Sequence, residues 1–271
     1  MTEPASPRLS ATLLLARDGT DGLELFMVVR NRQVEFASGA IVFPGGTLNS
    51  GDRDPRLRAL CDGGERLNDD ALALRVAASR EAFEECGVLY VKRRGETSLV
   101  DGQTAAALGD AYRVRLERGE ISVYDLLQSE NLRLAIDELQ HFAHWITPVQ
   151  LPKRYDTHFF LARAPEDQLF GHDGRETVDS IWISPGRALT DADAGLRTLV
   201  FATRLNIARV GQSRTVAEAI AHASASPVVT VLPTLERIEG GQVLRIPEEA
   251  GYGGSIFRSL KPATANNPNF A

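Results

Sequence analysis

Glu81, Glu84 and Glu85 stand at i, i+3 and i+4 in the stretch Arg80-Glu81-Ala82-Phe83-Glu84-Glu85-Cys86-Gly87-Val88. On a helix that spacing puts all three carboxylates on one face. The arrangement works against the helix. Like charges so placed repel by roughly 0.2–0.5 kcal/mol per pair, and each negative charge in a last turn opposes the dipole by roughly 0.3–1 kcal/mol. A hard divalent cation reverses both signs: Mg²⁺ takes carboxylate oxygens, keeps several waters and shares its shell with substrate phosphates. Acidic helix faces are commonly no more than solvated surface, so the upstream context decides. Ile41-Val42-Phe43 reads as a short strand, broken by Pro44-Gly45-Gly46, where backbone without a Cβ can approach a ligand closely. Strand, glycine turn and acidic helix together describe a metal and phosphate site. Its chemistry is metal-assisted hydrolysis of a phosphate anhydride. Glu84 and Glu85 are the expected metal ligands, and Glu81 is a third ligand or the base. Arg80 orients Glu81 through a charge-assisted hydrogen bond, and the Gly45 carbonyl completes the metal shell.

The element that must carry these groups runs from Asp69 to Cys86. Asn68 or Asp69 can cap its start and Gly87 is placed to end it in a left-handed turn. Leu74, Ala78 and Ala82 recur every four residues, with Leu72, Val76 and Phe83 beside them, so an apolar stripe faces a core.

Gly46, five residues, Asp52, then Arg80 to Val88 resembles the Nudix box of the Nudix hydrolases. Every fixed position of the second half matches. The first half departs twice: Asp52 stands where the family has Glu, and residues 53–79 separate it from Arg80, which makes 53–72 an insertion inside the motif. The resemblance implies an α/β fold, the Nudix-type α/β/α sandwich with a mixed sheet, and cleavage of nucleoside diphosphates linked to another group with Mg²⁺ or Mn²⁺. It also implies a further acid outside the motif, for which Glu176 is the candidate, with Asp179 behind it before a Trp-bearing strand. Phe36 to Gly46, the insertion, a helical segment and Trp145 to Phe160 are together similar to the branch that includes a mammalian peroxisomal coenzyme A diphosphatase. CoA or acyl-CoA, cut to phosphopantetheine (or its acyl form) and 3′,5′-ADP, is the substrate this suggests. NADH, ADP-ribose or a nucleotide sugar is the alternative. A non-catalytic nucleotide-binding module is the alternative of another class, and the intact glutamate set argues against it.

The chain of 271 residues suits one enlarged domain, with 43% hydrophobic and 24% charged residues. A net charge of −6 gives no basic excess for nucleic acid or an anionic membrane. Two cysteines, Cys61 and Cys86, offer no disulfide framework. Met1 to Ser10 lacks an apolar leader core, no run reaches membrane-spanning length, and Asn269-Phe270-Ala271 is not a peroxisomal address, so a cytoplasmic location is expected.

In order, residues 1–8 read as disordered, and Ser10–Leu15 and Leu23–Arg30 as a hairpin around Asp18-Gly19-Thr20-Asp21-Gly22. Arg30 and Arg32 follow as candidate phosphate contacts. Residues 53–68 read as an irregular loop, 88–91 as a strand and 105–140 as an all-helical insertion ending in a segment Leu132–Leu139. That insertion could cover the site and select the substrate, or could make an oligomer contact such as a homodimer. Thr157–Ala162 reads as a central strand, preceded by Lys153 and Arg154, the latter a candidate substrate contact. His144 and His158 read as core or hydrogen-bonding histidines without zinc-ligand spacing. The Nudix domain is expected over 9–190. Over 191–271, two helices (187–210 and 216–224) and a hairpin around Gly240-Gly241 are expected to pack on the same domain, before a loose tail after Gly251.

Overall fold

The computed structural model describes residues 5–30, 40–168, 177–239 and 241–259. The strands and helices, in chain order, are β1 (Arg8–Gly19), β2 (Gly22–Arg30), β3 (Ile41–Val42), β4 (Gly45–Thr47), α1 (Asp69–Cys86), β5 (Val91–Arg93), α2 (Gly102–Glu117), α3 (Val123–Ser129) and β6 (Leu132–Leu134). They continue with β7 (Gln140–Ile146), β8 (Tyr155–Arg163), β9 (Thr177–Ile183), α4 (Pro185–Asp193), α5 (Phe201–Val210), α6 (Val216–Ala225), β10 (Thr230–Val231), β11 (Thr234–Ile238), β12 (Gly241–Arg245) and β13 (Ile256–Ser259).

A mixed sheet of eight strands runs β10-β7-β8-β1-β2-β3, with β4 also on β1 and β9 also on β2. β1 and β8 are parallel at the centre, and the other main pairs are antiparallel apart from β10 with β7. Strand β1 serves two partners in turn: Ala16–Gly19 pairs with β2, and Ser10–Thr12 pairs with β4. Side chains alternate across a strand, so β1 sends Ala11, Leu13 and Leu15 to one face and Leu14 and Ala16 to the other. The first set packs with Leu74, Ala78 and Ala82 of α1. The second packs with Leu205 and Ile207 of α5 and Val216 and Ala219 of α6. Helices on both faces of a mixed sheet give the α/β/α sandwich of the Nudix type. The C-terminal residues Leu244, Ile246 and Ala250 share this second core with the sheet.

Helix α1 starts where Asn68 accepts the Ala71 N–H at 2.8 Å and ends where Gly87 turns left-handed at φ 73°. A third core lies beyond α1: Leu72, Val76 and Phe83 pack with Leu57 and Leu60 of the insertion and with Leu116, Leu126 and Leu127 of α2 and α3.

Six expectations change. Residues 53–68 hold successive short 3₁₀ turns (Ser50–Arg53, Pro55–Leu60, Gly64–Arg66) rather than an irregular loop, because Leu57, Leu60 and Cys61 are buried against α1. Leu132–Leu139 is not a helix: Leu132 and Leu134 are buried while Arg133 points to Asp62 at 2.6 Å, the alternation of a strand, and a 3₁₀ turn follows at Ile136–Glu138. The strand expected at 88–91 begins at Val91, where it pairs with β6. Residues 187–210 divide into α4 and α5, separated at Gly195 with φ 73°, and Asp191 ties Arg187 and Arg197 across the break. Past Gly251 the chain forms β13, which pairs with β12 and sets Phe257 against Phe201, ring centroids 5.3 Å apart. At the other end, Arg8 already belongs to β1.

Candidate active site

Arg80 organises the site from inside. Only 6% exposed, its guanidinium donates from Nε and Nη2 to the two oxygens of Asp52 at 2.9 and 3.0 Å. Nη1 donates to Glu81 Oε1 and Glu84 Oε2, each at 2.8 Å, and Nη2 also to the Thr47 carbonyl at 3.0 Å. The hydrogen bond expected from Arg80 to Glu81 is therefore present. Asp52 is fixed in turn: it exchanges reciprocal bonds with Asn49 at 2.9 and 3.1 Å, a capping box on the 3₁₀ turn Ser50–Arg53. The residue in the first half of the motif thus reaches the second half across the 20 inserted residues, which loop out onto α1.

The glycine turn is tied to the same helix. The Gly45 N–H donates to Glu85 Oε2 at 3.1 Å, and β4 sits in register with Thr12 and Ala11 of β1. A Cβ on Gly45 would lie 2.5 Å from the Ala11 carbonyl oxygen, and one on Gly46 would lie 2.6 Å from Glu81 Oε1. The first clash is with backbone and the second with a side-chain tip. Gly46→Ala is therefore expected to keep the melting temperature close to the parent's while cutting turnover by displacing Glu81. A variant with unchanged kcat would show that the position of Glu81 is not critical.

Carrying Glu84 and Glu85 in its last turn, α1 has no basic residue of its own there. Arg113 of α2 supplies the compensation: its Nε and Nη2 donate to the carbonyls of Glu84 and Glu85 at 2.8 and 2.7 Å, placing a cation on the helix C-terminus.

Asp52, Glu81 and Glu84 share one guanidinium, and Glu85 follows Glu84 on the same helix turn. The Glu84 carboxyl is raised to about 7: burial pushes it up most, the Arg80 charge and hydrogen bond pull it down, and the charges of Glu81 and Asp52 push it up. Burial also works against the Arg80 cation, but its bond to Asp52 and the charges of Glu81, Asp52 and Glu84 outweigh this and raise its pKa. A divalent cation fits this donor set. The residues able to hold it are Glu81, Glu84 and Glu85, with Gly45 beside them. Because a metal takes the ionised carboxylate, protons compete for Glu84. Mn²⁺ affinity is expected to be flat above pH 7 and to weaken by up to about tenfold per unit below it, measured by calorimetry on metal-free protein. An affinity flat from pH 5 to 8 would contradict the shift.

Glu81, Glu84 and Glu85 line a cavity of about 480 Å³. Its wall is mixed: the apolar Phe43, Trp145, Phe159, Phe201 and Leu244 share it with Ser10, Thr12 and Thr157. Two charged groups that the motif did not reveal also line it: Arg8 on β1 and Glu117 at the end of α2. Arg8, Ser10 and Thr12 share one strand face, a period-two signal that the reading of residue 8 as tail concealed.

Among the described residues, other candidates do not line the cavity. Arg154 is buried, and its Nε and Nη1 donate to the carbonyls of Thr147 and Ala5 at 3.1 and 2.8 Å, so it holds the entry to β8. Lys153 is exposed. Asp179 accepts the Ser180 N–H at 2.8 Å and is not on the cavity wall. Arg30 ends β2, but its side chain lies outside the described residues, as do Arg32 and Glu176 entirely.

Fold and carboxylate constellation both define a Nudix hydrolase. The family model described as the NUDT19 Nudix domain matches residues 58–195, about half of the chain, and the chain belongs to this family. Similar proteins include a putative nudix hydrolase 7 of Caenorhabditis elegans, 27% identical over 70% of this chain and 56% of its own length. The acyl-coenzyme A diphosphatase NUDT19 of Xenopus laevis is 24% identical over 65% of this chain and 56% of that protein; its human namesake is 27% identical over 62% and 55%. The chain thus matches little more than half the length of these relatives. Among solved structures, a NUDIX hydrolase from Alicyclobacillus acidocaldarius superposes with a TM-score of 0.65 and 26% identity, covering 80% of this chain and 96% of that one.

Proposed function

We propose that the protein hydrolyses the phosphate anhydride of CoA or acyl-CoA, with Mg²⁺ or Mn²⁺, to (acyl-)phosphopantetheine and 3′,5′-ADP. The observation that carries this is the mixed lining of one cavity: the three motif carboxylates together with aromatic and aliphatic side chains. A diphosphate needs the first, and a thioester-linked acyl chain is suited by the second. The names of the vertebrate relatives support the same substrate class.

A bound divalent cation would neutralise charge on the phosphoryl oxygens and lower the pKa of a coordinated water. The chain's own groups do the remaining work. Glu84 and Glu85 hold the metal, and Glu81 is a third ligand or the base. Glu117, on the cavity wall, joins Glu176 as a candidate for the acid outside the motif. Arg8 faces the phosphate oxygens, for which a guanidinium is well matched. Arg80 touches no substrate; it positions Glu81 and Glu84.

A dinucleotide or ADP-ribose is the second reading, favoured by the rings of Trp145, Phe159 and Phe201, on which a base could stack. Mass-spectrometric product analysis separates the two. The protein is incubated with Mg²⁺ or Mn²⁺ and, separately, CoA, acyl-CoAs of increasing length, NADH, ADP-ribose and nucleotide sugars. Formation of 3′,5′-ADP with preference for longer acyl chains is the expected result. AMP from NADH or ADP-ribose without turnover of any CoA species would overturn the substrate and retain the chemistry. No product from any of them would favour a binding module.

A further inference from the structure

On the sheet face turned away from the cavity, β7 and β8 bring together residues that the chemistry above does not use. His144 and His158 are direct cross-strand partners, and Asp156 lies two residues before His158 on the same strand face. The residues that alternate with them, Trp145, Thr157 and Phe159, line the active-site cavity from the opposite face. Linear spacing gave no ligand pattern here; the antiparallel register creates it.

Three features resemble a ligand set. First, both imidazoles aim the same atom at one carboxylate oxygen: Nε2 of His144 lies 2.5 Å and Nε2 of His158 3.9 Å from Asp156 Oδ1. One ligand atom from each of the three residues falls within 4.8 Å of the others. Ligands about 2.1 Å from a tetrahedral zinc ion are about 3.4 Å apart, so the observed separations bracket the required one. The rings are stacked, centroids 3.9 Å apart, and a turn about the soft χ2 of either would splay the lone pairs onto one point.

Second, each ring has its other nitrogen occupied. His144 Nδ1 is 2.8 Å from Thr230 Oγ1 on β10, and His158 Nδ1 is 3.1 Å from His141 Nε2. Partners on the far nitrogen are what fix orientation and tautomer in metal-binding histidines.

Third, the cluster suits a cation of borderline softness. Neutral imidazole is the metal-binding form. Arg75 of α1 lies over the ring of Phe160, the next but one residue after His158 on the same strand face, at 5.0 Å. The three ligand side chains are 15–26% exposed, so an ion could enter from solvent.

We propose that His144, Asp156 and His158 form a second metal site, for Zn²⁺ or a similar transition-metal ion. It is separate from the carboxylate site and ties β7 to β8, with Thr230 and His141 as orienting partners. Two imidazoles and one carboxylate suit such an ion and not Mg²⁺, which prefers oxygen ligands.

The test titrates full-length, chelator-treated protein with Co²⁺ and Zn²⁺ in excess Mg²⁺, which keeps the glutamate site filled. One equivalent of Co²⁺ with the visible absorption of a nitrogen-ligated ion, displaced by Zn²⁺, is expected. Zn²⁺ should also raise the melting temperature. His158→Gln and Asp156→Asn should each weaken Zn²⁺ binding by at least about 100-fold, and Thr230→Val by about 10-fold or more. Should a ligand variant fail to fold, Thr230→Val at the rim supplies the answer. Absence of a saturable Co²⁺ band in the parent, or Zn²⁺ affinity unchanged in Thr230→Val and Asp156→Asn, would overturn the site. Glu85→Gln, which disables the first site, should leave the Co²⁺ band intact.

Discussion

Glu85→Gln is expected to lower kcat by about 10²–10³-fold, the loss typical when one group that stabilises transition-state charge is removed. Glutamine is nearly isosteric, and its amide oxygen can still accept the Gly45 N–H now bonded to Oε2 at 3.1 Å. The link between β4 and α1 survives, so the fold is not expected to change. What disappears is one negative charge from the face that also holds Glu81 and Glu84. The loss should appear in kcat at saturating Mg²⁺ and substrate, with a higher Mg²⁺ requirement. Steady-state kinetics over a Mg²⁺ series measures both. Turnover equal to the parent's would refute the metal role of this face.

Arg80→Met should damage stability instead. Removing the guanidinium leaves Asp52, which is 1% exposed, with its charge uncompensated, and removes the cation shared by Glu81 and Glu84. Breaking a buried ion pair from one side costs about 3–5 kcal/mol, which for a chain of this size lowers the melting temperature by roughly 6–20 °C. Part of the cost is desolvation of the abandoned carboxylate, so adding Asp52→Asn should recover some of it, and the two changes should be less than additive. Arg80→Lys should lie between, since one ammonium cannot reproduce a bidentate bond to Asp52 together with bonds to Glu81, Glu84 and the Thr47 carbonyl. Differential scanning calorimetry decides. An Arg80→Met protein melting within a degree or two of the parent would mean that the buried network contributes little.

Much of this site was legible before any coordinates. The three glutamates, Arg80, both glycines and the caps of α1 follow from local rules of helix spacing and backbone freedom, and those rules hold within one element. Contacts set by register between distant segments were not legible. Glu117 reaches the cavity because α2 packs against α1, and no spacing in the sequence relates residue 117 to residue 81. The pairing of His144 with His158 depends on how β7 and β8 align. Arg154 had the right residue type in the right neighbourhood, yet its guanidinium goes to two backbone carbonyls. The helical reading of Leu132–Leu139 failed for a different reason: a short leucine-rich run fits both periods, and only burial of Leu132 and Leu134 on either side of the partly exposed Arg133 selects the strand.

Arg113 joins the helical insertion to the catalytic helix by two bonds to the carbonyls of Glu84 and Glu85. Those carbonyls belong to two of the residues proposed to hold the metal, so the insertion braces the end of α1 that carries them. Linkage makes the dependence mutual: whatever steadies α2 also steadies that end of α1, and a cation bound there would steady α2 by the same free energy. A change in α2 that moved Arg113 would then be felt at Glu84 and Glu85 as well as within the insertion.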